Sequence, residues 1–196
     1  LISVIVPTID GREKWLDRCH ASYSAWTPTN FEFIVVRNEK TCNRAWNIGI
    51  EQSSGDYIHL SADDIEAQPG WWQTGIQWIE KGYLPAPRIL NPDGTLQSCG
   101  DGDWETPTGT KTELTRVPFF SREQMEKAKI YPIIKTHYCG DLYVTHRGAM
   151  AGYRTVVVRE MQFIHSFANV GRLDERLSND YAIFRTVRDR DIHRVA

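Results

Sequence analysis

The order of the hydrophobic segments predicts an α/β protein with a mostly parallel, doubly wound central sheet and helices on both faces. Three observations predict it. Ile2-Ser3-Val4-Ile5-Val6 is a β-branched run closed by Pro7, the pattern of a strand covered on both faces. Trp15, Leu16, Cys19, Tyr23 and Trp26 then recur at steps of three and four residues, which puts them on one face of a helix ended by Pro28. Two further strands, Phe31 to Val36 and Tyr57 to Leu60, alternate with a helix through Ala45, Trp46, Ile48 and Ile50. Parallel strands joined by helices require right-handed crossovers, and such sheets take ligands beyond the carboxyl ends of their strands.

After the third strand the texture changes. Pro69-Gly70-Trp71-Trp72 opens a helix; Arg88-Ile89-Leu90, the turn Asn91-Pro92-Asp93-Gly94 and Thr95 to Gly100 read as a hairpin. Asp101 to Thr112 has no hydrophobic period and reads as a loop. A helix through Met125 follows, then one over Asp141 to Ala151, the strand Thr155-Val156-Val157-Val158, and a last helix striped by Leu173, Leu177, Tyr181, Phe184 and Val187. With no repeat or linker in 196 residues, one domain is expected, its texture changing between residues 1–70 and 85–196.

The composition, 41% hydrophobic and 24% charged, is that of an ordinary globular chain, and a net charge of -2 argues against binding a polyanion by bulk electrostatics. No run approaches the roughly 20 apolar residues that span a bilayer, and the first residues lack the layout of a signal peptide. Cys19, Cys42, Cys99 and Cys139 lack C-x-x-C spacing, so free thiols in a reducing compartment, the cytoplasm, are expected.

Ile58-His59-Leu60-Ser61-Ala62-Asp63-Asp64-Ile65 runs a strand directly into two carboxylates. Adjacent acids repel each other, and above a sheet they suit a hard cation such as Mg²⁺ or Mn²⁺ that is shared with substrate phosphates. The plainer alternative is an acidic turn that leads a helix and caps its backbone donors.

Val4-Ile5-Val6-Pro7-Thr8, Ile34-Val35-Val36-Arg37-Asn38, Ala45-Trp46-Asn47-Ile48-Gly49-Ile50 and Gly55-Asp56-Tyr57-Ile58 precede Asp63-Asp64-Ile65; Gly70-Trp71, Asp93-Gly94-Thr95 with Gln97 and Gly100, Gly152-Tyr153-Arg154 and His165 follow. In this order the chain resembles a family 2 glycosyltransferase of the GT-A fold, a Rossmann-like sheet with a small antiparallel acceptor-side element, and the resemblance covers nearly the whole chain. It implies a nucleoside-diphosphate sugar as donor, a hydroxyl acceptor, and Mn²⁺ or Mg²⁺ at the DxD-like acids, with residues 1–70 as the nucleotide-sugar-binding part of the one domain and 85–196 as its acceptor-side and catalytic part. Asp64 looks like the metal carboxylate, with His165 on the same metal, and Asp63 like the residue that contacts the donor ribose or supports the metal. Pro7, Thr8, Asp10, Arg12, Arg37, Asn38 and Asn47 fall where relatives cradle the nucleotide. A packed core histidine is the other reading of His165, and a solvated charge that of Arg12.

Asp141, in His137-Tyr138-Cys139-Gly140-Asp141, looks like the general base of an inverting displacement, with a helix cap as its alternative. Gly140 stands where relatives often carry a second acid. Arg37 stands where a donor-base acceptor is usual; a cation cannot accept from a uracil imide, so Asp10 would do that work, or the donor is a guanosine or thymidine diphosphate sugar. Arg172 could close over a diphosphate, with an idle surface charge as its alternative. Trp72, Trp104 and Tyr138 are aromatics of the kind that stack on sugar faces, but core packing explains most tryptophans; only Trp104 lies in a polar stretch where burial is less expected, and it is the single expected acceptor contact. The acceptor itself is left open among a glycan, a lipid-linked sugar, a protein and a modified nucleobase. A retaining transferase, a non-catalytic sugar-nucleotide or glycan-binding module, and a nucleotidyltransferase are the rival functions. The last would need a Gly-rich phosphate loop, which Thr8-Ile9-Asp10-Gly11-Arg12 does not supply.

Overall fold

The computed structural model describes residues 1–98, 104–105, 111–112, 114–133, 135–166 and 174–193. Its first half follows the βαβαβ order: β1 (Ile2–Thr8), α1 (Glu13–Trp26), β2 (Glu32–Arg37), α2 (Cys42–Gln52) and β3 (Tyr57–Leu60). β1 pairs in parallel with β2 and with β3, so it is the central strand, and Val4, Ile5 and Val6 are wholly buried between the helices. Leu16, Cys19 and Tyr23 of α1 bury as the period requires. Trp26 does not. It is 45% exposed at the helix end, while the following Thr27 is buried and accepts from the Trp71 indole N–H at 3.3 Å.

The mostly parallel sheet and helices are as expected, and the strands beyond β3 add a second four-stranded sheet where only a small antiparallel element was expected. β9 (Phe119–Ser121) adds antiparallel to β3, closing the order β2-β1-β3-β9. The second sheet is β4-β10-β5-β6, built from β4 (Ile65–Ala67), β5 (Tyr83–Leu90), β6 (Leu96–Ser98) and β10 (Arg154–His165). Between β4 and β5 runs α3 (Trp71–Glu80), started by Gly70 in the left-handed region at φ 80°. β10 is three times the length of its Thr155–Val158 nucleus, and a register shift between Val158 and Gln162 lets it stay paired with β5 across both segments. The β5–β6 hairpin turns at the predicted Asn91–Gly94. The stretch expected to be a plain loop contains two paired dipeptides, β7 (Trp104–Glu105) and β8 (Lys111–Thr112).

α4 (Arg122–Ala128) begins with a capping box between Ser121 and Gln124. α5 (Gly140–Met150) and α6 (Asp174–His193) complete the chain. On α6, Phe184 is fully buried, Tyr181 and Val187 are partly so, and Leu177 is exposed; Leu173 lies outside the described residues. Among the described residues no helix is long and apolar enough to cross a membrane, and Cys19, Cys42 and Cys139 are free thiols.

Candidate active site

A cleft of about 1040 Å³ opens beyond the carboxyl ends of β1 and β3, where the sheet topology places ligands. Pro7, Thr8, Arg12, Asp63, Asp64, Asp141 and His165 all line it.

Asp63 and Asp64 do not lead a helix; they lead into β4. The Asp63 side chain is 7% exposed, and its two oxygens accept from side chains rather than from a helix terminus: Arg12 Nε and Nη2 bind Oδ2 and Oδ1 at 2.7 Å each, and Thr8 Oγ1 donates to Oδ2 at 2.7 Å. The Arg12 guanidinium also reaches Asp64 Oδ2 at 3.0 Å. Arg12 is therefore no solvated surface charge. Its pKa rises further through the Asp63 hydrogen bonds against the opposing effect of burial.

His165 arrives at Asp64 through strand register. β4 pairs antiparallel with the end of β10, with His165 opposite Ile65, and Ser166 N–H donates to the Asp64 carbonyl at 2.9 Å. His165 Nε2 then stands 3.5 Å from Asp64 Oδ1, and its Nδ1 bonds Gln97 Oε1 at 2.8 Å. The side chain is not packed in the core, since 26% of it is exposed. Burial pushes the Asp64 carboxyl up, but His165 and then Arg12 more than reverse this, and it lies below the ordinary carboxylate value.

Asp141 lines the same cleft from α5. The N-cap of α5 is Cys139, in the left-handed region at φ 64°, so Asp141 is not the cap. Its Oδ1 accepts from Leu142 N at 2.8 Å and its Oδ2 from Arg116 Nη1 at 3.3 Å. Burial raises its pKa, and Arg116 opposes but does not cancel the rise. Gly140 has a steric reason: a Cβ there would stand 2.1 Å from Asn43 Oδ1 and 2.5 Å from the Trp46 ring. Asn43 is fixed, with Nδ2 donating to Thr136 Oγ1 at 2.6 Å and to the Tyr138 carbonyl at 3.1 Å. A second acid beside Asp141 has no room.

Four expected nucleotide contacts do not line the cleft. Asp10 and Asn38 pair with each other, Asp10 N to Asn38 Oδ1 and Asn38 Nδ2 to Asp10 Oδ2, both at 3.0 Å. Arg37 is exposed beside Glu13 at 3.8 Å. Asn47 spends its Nδ2 on the carbonyls of Asn43 and Pro132, tying α2 to the segment before α5. The Trp104 side chain, Gly100 and Arg172 lie outside the described residues. Glu39, Thr41, Cys42, Trp46, Gln97, Arg116 and His137 line the cleft without having been singled out as site residues. Gln97 was visible as part of the Asp93-Gly94-Thr95 hairpin; Arg116 gave no signal, because its pairing with Asp141 spans 25 positions.

No protein-family model matches the chain, and no curated protein sequence matches it significantly. Solved structures do match. The structure of S. aureus TarS 1-349 in complex with UDP-GlcNAc superposes with a TM-score of 0.72 at 13% identity, covering 95% of this chain and 65% of that one. The same fragment in complex with UDP gives 0.64 at 14% identity over 85% of this chain and 60% of that one. Longer TarS gives 0.65 at 15% identity, covering 85% of this chain and 36% of that one. TarS is a glycosyltransferase. The chain shares its fold and spans between 36% and 65% of the lengths of these proteins.

Proposed function

We propose that the chain is the catalytic domain of a metal-dependent inverting glycosyltransferase, which moves a sugar from a nucleoside diphosphate to a hydroxyl acceptor. One observation carries the reading: Asp64 with His165, and Asp141 with its raised pKa, line one cleft at the carboxyl ends of β1 and β3. The fold shared with the TarS complexes of UDP and UDP-GlcNAc supports the donor class.

The residues present fit a divalent ion. Asp64 Oδ1 and His165 Nε2 converge at 3.5 Å, and a carboxylate oxygen with an imidazole nitrogen is a donor set that Mn²⁺ accepts, Mg²⁺ preferring the oxygen. Among the described residues no group of three His, Cys, Asp or Glu could hold an ion by itself, so the remaining ligands would have to come from the donor phosphates or water. When bound, such an ion neutralises charge on the departing diphosphate.

The remaining steps belong to the chain. Asp63 holds Arg12 across the mouth of the site, and its pairing there argues for support of Asp64 over direct contact with a ribose. Asp141 accepts the acceptor's proton as the oxygen attacks the anomeric carbon; burial keeps it a stronger base than an exposed carboxylate. The C–O bond to the donor phosphate breaks as the new C–O bond forms, so one displacement inverts the stereocentre. The Arg116–Asp141 pair favours a second reading, a binding module whose base is neutralised.

The test is donor binding and turnover. With Mn²⁺, the protein should be stabilised thermally by one member of a panel of uridine, guanosine and thymidine diphosphate sugars, and should hydrolyse it slowly. Asp64→Asn should lose the metal-dependent part of binding. Asp141→Asn should bind normally and lose about 10²–10⁴-fold in turnover. Absence of donor binding with and without Mn²⁺ would refute the assignment, and binding without turnover in the wild type would select the module.

A further inference from the structure

Trp46 touches both halves of the cleft with one side chain. It projects from α2, lines the cleft and is 7% exposed, packed in the core cluster that holds Ile5, Leu60 and Val144. Its indole Nε1–H donates to the Ser61 carbonyl at 2.8 Å, two residues before Asp63. The six-membered part of the ring faces α5. A Cβ on Gly140, the residue before Asp141, would stand 2.5 Å from its Cζ3.

Neither neighbour is free to draw back from the ring. Ser61 is fully buried and held at three points: its N–H donates to the Ile5 carbonyl of β1 at 2.9 Å, its hydroxyl pairs with the Tyr23 hydroxyl of α1 at 2.9 Å, and its carbonyl takes the indole. The turn before Gly140 is drawn onto α2 by Asn43, one helical turn before Trp46, whose Nδ2 donates to Thr136 and Tyr138, and by Cys42 N, which donates to His137 Nδ1 at 3.3 Å. An indole ring has no internal torsion, and a packed interior transmits strain, so a shift of either wall reaches the other. One wall leads to Asp63 and Asp64, the other to Asp141.

We propose that Trp46 is a positioning residue that sets the separation of the acid pair from Asp141. Its N–H fixes the end of β3 that carries the acids, and its ring fixes how closely the start of α5 approaches. The mechanical link follows from these contacts. Its consequence for turnover rests on the reading of the cleft proposed above, with the donor held on the Asp64 side and the proton taken on the Asp141 side, where a misplacement of about 1 Å costs about 10²-fold in rate.

The link is tested without any ligand, by NMR of the ¹⁵N-labelled full chain, with the Trp46 indole N–H assigned by its disappearance in Trp46→Phe. Gly140→Ala should shift that indole signal and, through it, the backbone amides of Ser61 to Asp64. In a Trp46→Phe background, whose smaller ring has no N–H, Gly140→Ala should leave those amides where Trp46→Phe alone puts them. Tyr23→Phe removes the hydroxyl partner of Ser61 and should send a shift the other way, to Gly140 and Asp141; it carries the test should Gly140→Ala not fold. Amides that ignore the change on the opposite wall, or respond to it equally without the indole, would overturn the link. Turnover is then read with Mn²⁺ and the nucleotide sugar that the wild type hydrolyses: Trp46→Phe should keep donor affinity within about threefold and lower turnover about 10²-fold. A side chain that only fills the core would lower stability and leave the turnover of folded protein unchanged, and that result refutes the positioning role. A wild type that transmits the shifts but binds no donor supports the link and refutes only the transferase.

Discussion

Arg12→Ala is the sharpest test of how the acid pair is held. In the wild type the guanidinium makes two 2.7 Å bonds to Asp63 and one of 3.0 Å to Asp64, and the Asp63 side chain is 7% exposed. Truncation leaves Asp63 with Thr8 Oγ1 as a donor but without its countercharge. Breaking a fully buried ion pair costs about 3–5 kcal/mol; Arg12 is 28% exposed, so water enters and the expected loss is about 2–3 kcal/mol. Urea denaturation at pH 7 measures it directly, and the melting temperature should fall by about 4–12 °C for a chain of this size. Asp63→Asn removes the stranded charge, so the double variant should be more stable than the sum of the single losses implies, by about 1–2 kcal/mol. An Arg12→Ala protein within about 0.5 kcal/mol of wild type, or strict additivity with Asp63→Asn, would refute the claim that Arg12 neutralises a buried carboxylate.

Three further perturbations follow from the same geometry. His59, buried and stacked on Phe163 at 5.0 Å, has its pKa lowered from 6.5 to about 3 by burial, against the opposing hydrogen bond to the Pro118 carbonyl. It is neutral when folded, so its neutral form contributes fully above pH 6.5, and stability falls by up to about 1.4 kcal/mol per unit as pH drops toward 3; His59→Phe should flatten that slope in denaturation curves between pH 6.5 and 4.5. Gly140→Ala should destabilise by about 1–3 kcal/mol, because Asn43 and Trp46 block the new methyl, and calorimetric melting reports it. Asp180→Ala strips the acceptor from the backbone N–H groups of His137 and Tyr138, 2.8 and 2.9 Å from Oδ2; it should cost about 1–3 kcal/mol and speed hydrogen exchange at those two amides.

Much of the first half was legible because its signals are local. The β-branched run before Pro7 and the stripe of Leu16, Cys19 and Tyr23 specify burial within a few residues, and both appear as expected. Asp64 and His165 were singled out through resemblance, yet the reason they meet was not readable: Ile65-Glu66-Ala67 is too short to show a strand period, and it becomes a strand only by pairing with β10. Asn47 misled for the opposite reason. Its place in the Ala-Trp-Asn-Ile-Gly helix suggests a nucleotide contact, but a helix position fixes only the face, and that face meets Pro132. Gly140 likewise read as a missing acid, whereas the cause is Asn43, almost a hundred residues earlier in the chain.

Four aspartates in and near the cleft, Asp63, Asp64, Asp141 and Asp180, divide into two kinds by what satisfies them. Asp63 is held by the Arg12 fork and Thr8, and Asp180 by two backbone N–H groups of the turn that leads into α5. Both are almost fully buried, at 5% and 2%, and these bonds tie them to the protein's own groups. Asp64 and Asp141 are different: their side chains are 14% and 19% exposed to the cleft, and burial acts on both in the same direction. Their partners then separate them. His165 and Arg12 outweigh burial at Asp64 and keep it ionised, the state the proposed cation would need; Arg116 only moderates burial at Asp141, leaving it the stronger base, as the proposed proton transfer requires. Arg116→Gln should therefore move the acid limb of turnover to higher pH, because Asp141 loses the charge that restrains it. An acid limb unmoved by this change, with Asp141→Asn inactive, would mean that the limb belongs to another group and that Asp141 acts without titrating.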